Sequence, residues 1–441
     1  MSLNKHVIHT FLTQIPSILL GIVAGIFITR LLGPEGRGIY YLFQVNIQFA
    51  TLLLGASLTN GLIYYMANKQ LDQRSLLGIS LYVLIFSTAV VLLGTALIMS
   101  VFSDWKKHVF PIGYDTLFYA AYFSASFFLT ILNTIVSGFL QGRKHFGSVN
   151  TIALLNGALN LACFGIAFLI YQLFGTTIGV KEIFVIAVGI LLLNTLLWLY
   201  FYARHIRILP TMVLSWNKVV KPFSSYTGLG HVSNVLNFLN YRFDIWVVSY
   251  YCDFTQVGFY GLAVNIGQFL WMISTPISSV LLPYLSESNV ATKMTMLRLY
   301  SRLNGTASIL GAVLIFLLCD TLVPLVYGEE FSPSTLPLKI LLIGIVFSSL
   351  TKPFASYLAS NNMIRHNLIA TIFGLIATIF FDLYLVPRMG IVGASWATVI
   401  AYVAVFLYVY WAMSYKAGMV FGNYFWLTRE DIKTFIGETK K

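Results

Sequence analysis

Between Val7 and Met413, long apolar runs return roughly every 35 residues with short polar segments between them, and each run has about the 20 residues that a helix needs to cross a bilayer. No other feature constrains the fold as tightly. With no water to serve its N–H and C=O groups, a spanning backbone must bond internally, and runs of this length do so as helices. Composition removes the soluble alternative: 58% of the 441 residues are hydrophobic and 10% charged, against about 25% charged in a soluble domain. The pattern predicts an all-α integral membrane protein with about 12 transmembrane helices, at about 8–31, 39–66, 77–102, 115–140, 148–173, 183–203, 225–250, 258–285, 303–323, 338–360, 367–386 and 392–413. The first run is too long for a signal-peptide core and passes into RLLGPEGRG without a small-residue cleavage site, so it is expected to stay as the first membrane helix.

Lysine and arginine set the orientation. With the N-terminus in the cytoplasm, eighteen of the 27 basic residues fall in inner segments. Seven fall outside (Arg30, Arg37, Lys106, Lys107, Lys181, Lys339 and Arg388), and Arg242 and Lys352 lie within the membrane. Both termini are therefore expected in the cytoplasm. The net charge of +12 is mainly a topology signal, scattered over short loops, and does not point to nucleic acid. Cys163, Cys252 and Cys319 have no metal-binding spacing and read as small buried thiols; a Cys252–Cys319 pair near the outer face is the minor alternative.

The segments GIYYLFQVNIQF (38–49) and GFYGLAVNIGQF (258–269) align without gaps at Gly38/Gly258, Tyr40/Tyr260, Leu42/Leu262, Gln48/Gln268 and Phe49/Phe269. Their offset of 220 is half the chain. Two copies of six spans would share one orientation, because six is even, and secondary transporters built this way place substrate between their halves. The expected organisation is an N-terminal six-helix lobe at 1–203, a cytoplasmic linker at 204–221, a C-terminal six-helix lobe at 222–413 and a cytoplasmic tail at 414–441. Little room is left for a soluble catalytic domain, and the chain reads as a transporter.

Charges inside a bilayer are costly and face a cavity or a partner, or snorkel to the headgroups. The run FLNYRFDIWVV (238–248) carries two, Arg242 and Asp244, which point in nearly opposite directions on a helix and cannot neutralise each other on one face. Helical projection puts His231 on the Arg242 side, with Asn237, Asn240 and Asp244 opposite. Arg242 and Lys352 are candidate cavity cations; Lys352 precedes Pro353, where a break or kink is expected. Asp244 suits ion coupling or helix packing, Asp382 an ion pair with a neighbouring helix, and His231 a hydrogen bond within the bundle. Arg30 ends the first span, as a membrane-surface anchor or a substrate contact, and Gln268 and Asn46 in the repeat segments join the substrate-binding candidates. Three cations and two acids make a mildly cationic interior, which favours an anionic cargo.

The motifs RLLGPEGRGIYYL (30–42), FLNYRFD (238–244), VGFYGLAVNIGQFLW with LLPYLS (257–286), LVYGEEFSP (325–333) and VPRMGIVGASWATVIAYV (386–403) occur in the same order as in a known family. Together they resemble the Wzx-type polysaccharide and O-antigen flippases of the multidrug/oligosaccharidyl-lipid/polysaccharide (MOP) exporter superfamily. The resemblance runs from the first span to the last. It implies a MATE-like fold of two six-helix lobes around a hydrated cavity. It also implies alternating-access movement of a polyprenyl-pyrophosphate-linked oligosaccharide from the inner to the outer leaflet of the bacterial cytoplasmic membrane. In such proteins Arg and Lys meet the pyrophosphate and acids are linked to ion coupling. Arg242 and Asp244 match the family's NYRxD run, Asp382 stands where relatives often carry Asn, and Lys352 falls on no shared motif. The implied partners are the lipid-linked glycan and membrane lipid, with room for glycan polymerase and assembly proteins.

A cation-coupled multidrug antiporter of the same superfamily is the nearest rival, although it would present more acid than base. A glycan polymerase or glycosyltransferase would need a large outer loop or an acidic catalytic motif. The adjacent Glu329 and Glu330 make a poor acid/base pair and read as a solvated loop. There is no GK[ST] phosphate loop, so ATP hydrolysis is not expected. The reading is therefore of a protein that is not an enzyme and needs no cofactor or metal, with coupling to a proton or sodium gradient or to membrane potential left open.

Overall fold

The computed structural model of the chain describes residues 3–55, 57–100, 113–211, 215–287, 290–417 and 424–431. Lys106, Lys107, Lys433, Lys440 and Lys441, and most of the tail expected at 414–441, lie outside the described residues. What is described is helical. The first six helices are α1 (Leu3–Leu54), α2 (Leu58–Ala67), α3 (Gln73–Ser100), α4 (Leu117–Gly142), α5 (Phe146–Phe174) and α6 (Val180–His205). After a π turn at Trp216–Val220 come α7 (Lys221–Tyr251), α8 (Phe254–Gly267), α9 (Trp271–Glu287), α10 (Val290–Tyr327), α11 (Thr335–Ser360) and α12 (Ile364–Ala417).

Each of the twelve expected spans falls on these helices. Among the described residues nine helical segments are long and apolar enough to cross a membrane, and Pro16–Leu54 and Ile364–Tyr415 are each too long for one crossing. Gly33 (φ 63°) and Gly390 (φ 57°) break them inside α1 and α12, each in a left-handed conformation that glycine adopts without a Cβ clash. The polar α7 stands apart from the nine. One expectation is corrected: the span at 39–66 is not continuous. Its helix ends at Leu54 and resumes at Leu58, with Ser57 left-handed between them (φ 51°), so the run GAS gives the chain a step that hydropathy does not register. The cysteines are all free thiols, as the main reading expected, and the alternative Cys252–Cys319 pair is not formed; Cys319 is buried and the others half-buried.

Local chemistry accounts for the boundaries. Asp253 caps α8 by accepting from Gln256 N at 2.7 Å; Asp72 does the same for α3 from Arg74 N and Ser75 N at 3.1 and 3.3 Å. Gly175, left-handed at φ 61°, ends α5. The tail returns to α10: Thr306 donates to Phe425 O at 3.3 Å and accepts from Leu427 N at 2.9 Å, and Arg302 meets Asp431 at 2.9 Å. Burial would push the Asp431 carboxyl up, but hydrogen bonds from Thr428 and the Arg302 guanidinium hold it below the usual carboxylate range.

Two compact units form. One holds Pro16–Leu32 and Ile39–Phe238; the other holds Gly33–Gly38 with the chain from Leu239 onward. In the first, α4 packs on α2 through Gly138 and Gly142, whose missing side chains make room for Leu62 and Met66. This is the small-residue close approach that replaces hydrophobic drive in lipid. Large side chains such as Phe86 and Leu93 on α3 and Leu317 on α10 stay 65–69% exposed, as an outer surface solvated by acyl chains requires. In the second unit, the two repeat copies meet through equivalent atoms. A Cβ on Gly38 would lie 1.9 Å from Phe254 O, and one on Gly258 would lie 2.0 Å from Pro34 O. Both the glycines and the carbonyl residues are 220 apart, so the crossing has approximate two-fold symmetry.

Helix α11 runs through Pro353 without the expected break. Proline removes the bond to the carbonyl four residues earlier, and here Asn304 Nδ2 of α10 donates to that carbonyl, Ser349 O, at 2.8 Å. Asn304 and Ser349 are both fully buried. Asn304→Ala is expected to leave Ser349 O unserved and cost about 1–3 kcal/mol. A lowered melting temperature of the purified protein would register it, and Asn304→Asp should not rescue it.

Candidate functional site

Helix α7 gathers the site because its two polar stripes face different neighbours. On one side, Arg242 Nη2 donates to Gln268 Oε1 at 3.3 Å. Gln268 opens the 3₁₀ turn Gln268–Leu270 that joins α8 to α9. One turn further along α9, Trp271 lies beneath Lys352, whose Nζ is 4.8 Å from the ring centroid and donates to Thr275 Oγ1 at 2.8 Å. Gln268, Trp271 and Thr275 are spaced i, i+3, i+7 and share a face, so one helical surface carries both half-buried cations. Tyr241 and Tyr402 complete an aromatic wall, with ring centroids 5.1 and 6.4 Å from that of Trp271. The Trp271 Nε1 donor is buried with no protein acceptor.

The opposite stripe is acidic and dry. Asn240 and Asp244 are 6% and 4% exposed. Asn240 accepts from Thr378 Oγ1 of α12 at 3.0 Å, and Gly374 leaves the space that its amide fills. Asp244 Oδ2 accepts from Tyr260 OH at 2.5 Å and from Thr398 Oγ1 at 3.4 Å, while its Oδ1 accepts from Ile245 N at 2.8 Å. Asp382 follows Thr378 by one turn, is fully buried and lies within electrostatic reach of Asp244 and Tyr260. The expected ion pair for Asp382 is not there. Neither of its carboxylate oxygens has a hydrogen-bond partner among the described residues, and the carboxylate of Asp244 acts on it electrostatically. Two buried carboxylates within electrostatic reach of each other are costly when both are charged. Among the described residues no group of three His, Cys, Asp or Glu is spaced to hold a metal ion.

The structure thus collects Arg242, Gln268, Lys352, Asp244 and Asp382 in one unit. Arg30, exposed on α1, Asn46, half-buried on α1, and His231 belong to the other. His231 Nδ1 lies 3.4 Å from Ser57 Oγ, which also accepts from Asn234 Nδ2 at 3.1 Å, so His231 is tied to the step between α1 and α2. Sequence reasoning missed Trp271, Thr275, Thr378 and Thr398. The 268/271/275 spacing was legible along the chain; the two threonines sit in apolar runs with nothing to mark them. Tyr260 was visible as a repeat match but not as a carboxylate ligand.

The sequence profile of the family described as polysaccharide biosynthesis protein matches residues 3–289. The chain belongs to that family. Its similarity to solved structures extends over nearly the whole length. The lipid II flippase MurJ, in an inward closed conformation, superposes with a TM-score of 0.73 at 14% identity, covering 97% of this chain and 90% of that one. An inward-facing multidrug resistance MATE transporter of the MOP superfamily gives 0.71 at 16% identity, covering 96% of each. A MOP superfamily transporter from Pyrococcus furiosus, described as having a binding pocket of reversed polarity, gives 0.59 at 16% identity, covering 94% and 96%. No curated protein matches the chain at a significant level. This polysaccharide biosynthesis protein therefore has the MOP-superfamily fold and is a multi-pass membrane protein.

Proposed function

We propose that the protein is a flippase that carries a polyprenyl-pyrophosphate-linked oligosaccharide from the inner to the outer leaflet of the bacterial cytoplasmic membrane by alternating access. The observation that carries this reading is the pairing of Arg242 and Lys352 along the Gln268–Thr275 surface, two cations beside an aromatic wall within a membrane-embedded unit. Membership of a polysaccharide biosynthesis family supports a glycan as cargo. A glycan head cannot enter hydrocarbon, because each unserved hydroxyl and charge is penalised. Guanidinium and ammonium groups match a pyrophosphate. With the cell interior negative, outward movement of an anion gains about 2.3 kcal/mol per charge per 100 mV, so membrane potential can bias export. Asp244 and Asp382 form the coupling site in this reading, exchanging a proton or sodium ion.

Depletion in the native bacterium, followed by leaflet assignment of lipid-linked glycan in sealed, oriented vesicles, tests it. The inner-leaflet pool is expected to grow on depletion and to be cleared by wild type. Arg242→Ala and Lys352→Ala should each slow clearance about tenfold or more, since a lost charged hydrogen bond is worth about 1.5–3 kcal/mol. An unchanged pool, with altered tolerance to cationic drugs, would favour the antiporter instead.

A further inference from the structure

A second cationic feature lies wholly within the first unit. Where α2 ends, α3 begins and α6 has just ended, a cavity of about 350 Å³ is lined by Lys69, Asp72, Arg74 and Arg207 with Met66 and Leu71 at its apolar edge. That volume falls in the range of about 300–1,000 Å³ typical of small-ligand sites. Its single acid is already employed: Asp72 Oδ2 accepts from Arg74 N and Ser75 N as the cap of α3, and it forms no ion pair with the three basic side chains. Arg207 spends its Nε on Ala203 O at 2.9 Å, leaving its terminal nitrogens for another acceptor.

The walls are held in place from behind. Arg143 Nη1 donates to His205 O and Ile206 O at 3.1 and 3.4 Å, and its Nη2 donates to Gln73 Oε1, tying the exit of α6 to the start of α3. Thr211 N donates to Arg74 O at 3.1 Å and closes the same junction. The backbone around the cavity is therefore held in place, and three exposed basic side chains line it at the ends of membrane helices. Leu209, two residues beyond Arg207, is 79% exposed, and Trp216 further along is 65% exposed. Such side chains suit the lipid interface rather than water.

We propose that this cavity binds the phosphate of an anionic membrane lipid, headgroup against Lys69, Arg74 and Arg207 and acyl chains toward Met66, Leu71 and Leu209. Three donors around one tetrahedral oxyanion make charge-assisted hydrogen bonds, and basic pockets between membrane helices take such headgroups. The site is independent of the cargo: it needs no transport step and contains none of the residues assigned to the flippase surface.

The test uses the full-length protein in detergent with added dioctanoyl phosphatidylglycerol, dioctanoyl phosphatidylcholine or inorganic phosphate, and reads the melting temperature. At about ten times the dissociation constant, phosphatidylglycerol is expected to raise it by about 1–2 °C, with no comparable rise from phosphatidylcholine. The variant Lys69→Gln/Arg74→Gln/Arg207→Gln should lose that rise. A control carrying Lys218→Gln, Lys221→Gln and Arg365→Gln, three exposed basic residues outside the cavity, should keep it. Should the triple variant fail to fold, the single charge reversal Arg74→Glu is measured in its place. An equal rise with phosphatidylcholine, retention of the rise in the cavity variant, or its loss in the control would each overturn the proposal. A rise with inorganic phosphate equal to that with phosphatidylglycerol would overturn the lipid as the source.

Discussion

Replacing Gly258 with alanine is expected to destabilise the protein by about 3 kcal/mol or more, at or beyond the top of the range for overpacking. The new Cβ would lie 2.0 Å from Pro34 O, and Gly38→Ala would place one 1.9 Å from Phe254 O. Both obstacles are backbone carbonyls, which cannot rotate away as a side-chain tip can, so the two segments would have to separate. The double variant should cost little more than either single one, because the first separation already makes room for the second methyl. Gly94→Ala is the control: nothing lies within 4 Å of its Cβ position, and in a helix interior alanine is favoured by about 0.5–1 kcal/mol. Melting temperature and the yield of monodisperse protein would read all four. An unshifted Gly258→Ala would mean that the close crossing of the repeat copies does not exist in the membrane.

The second large effect is expected at the buried acids. Asp382→Asn removes a charge whose oxygens have no protein hydrogen-bond partner, and Asp244→Asn keeps an acceptor for Tyr260 while removing the other. If the pair binds the coupling ion, each variant should fold with a melting temperature at or above that of wild type, since two like charges have become one. Clearance of inner-leaflet glycan should nevertheless fall about ten- to a hundredfold, as loss of a buried charged interaction implies. Its dependence on the proton or sodium gradient should disappear. Retained clearance and retained gradient dependence in both variants would reduce the pair to helix packing. Tyr260→Phe separates the two roles further: it removes the 2.5 Å hydrogen bond to Asp244 but leaves both charges, so stability should drop while the gradient dependence remains.

The polar character of α7 was legible before any coordinates. Arg242 and Asp244 are two residues apart, and a 3.6-residue period sends them to different neighbours whatever the fold; the structure gives them Gln268 and Tyr260 respectively. The 220-residue offset between the two similar segments was likewise legible, and Gly38 and Gly258, its first matched pair, meet at a close crossing. Asp382 was misread because an isolated acid in an apolar run invites a basic partner, and nothing along the chain says that Asp244 lies within its electrostatic reach. The interruption at Ser57 was missed because hydropathy averages over it: GAS is short and weakly polar, yet it holds a left-handed residue and the acceptor for Asn234.

Sequence by itself determined that the chain is a helical multi-pass membrane protein, because apolar runs of about 20 residues satisfy their own amides in lipid as helices. It also determined which residues share a face within each helix, because that follows from the helical period alone. Tertiary structure decided which faces meet. Only packing placed Thr378, Asp382 and Thr398 of α12 against Asn240 and Asp244, Trp271 beneath Lys352, and the ends of α2, α3 and α6 around one basic cavity. In lipid every apolar face is equally satisfied by acyl chains, so the choice of neighbour rests on small-residue clearances and hydrogen-bond geometry, and these exist only once the helices are assembled.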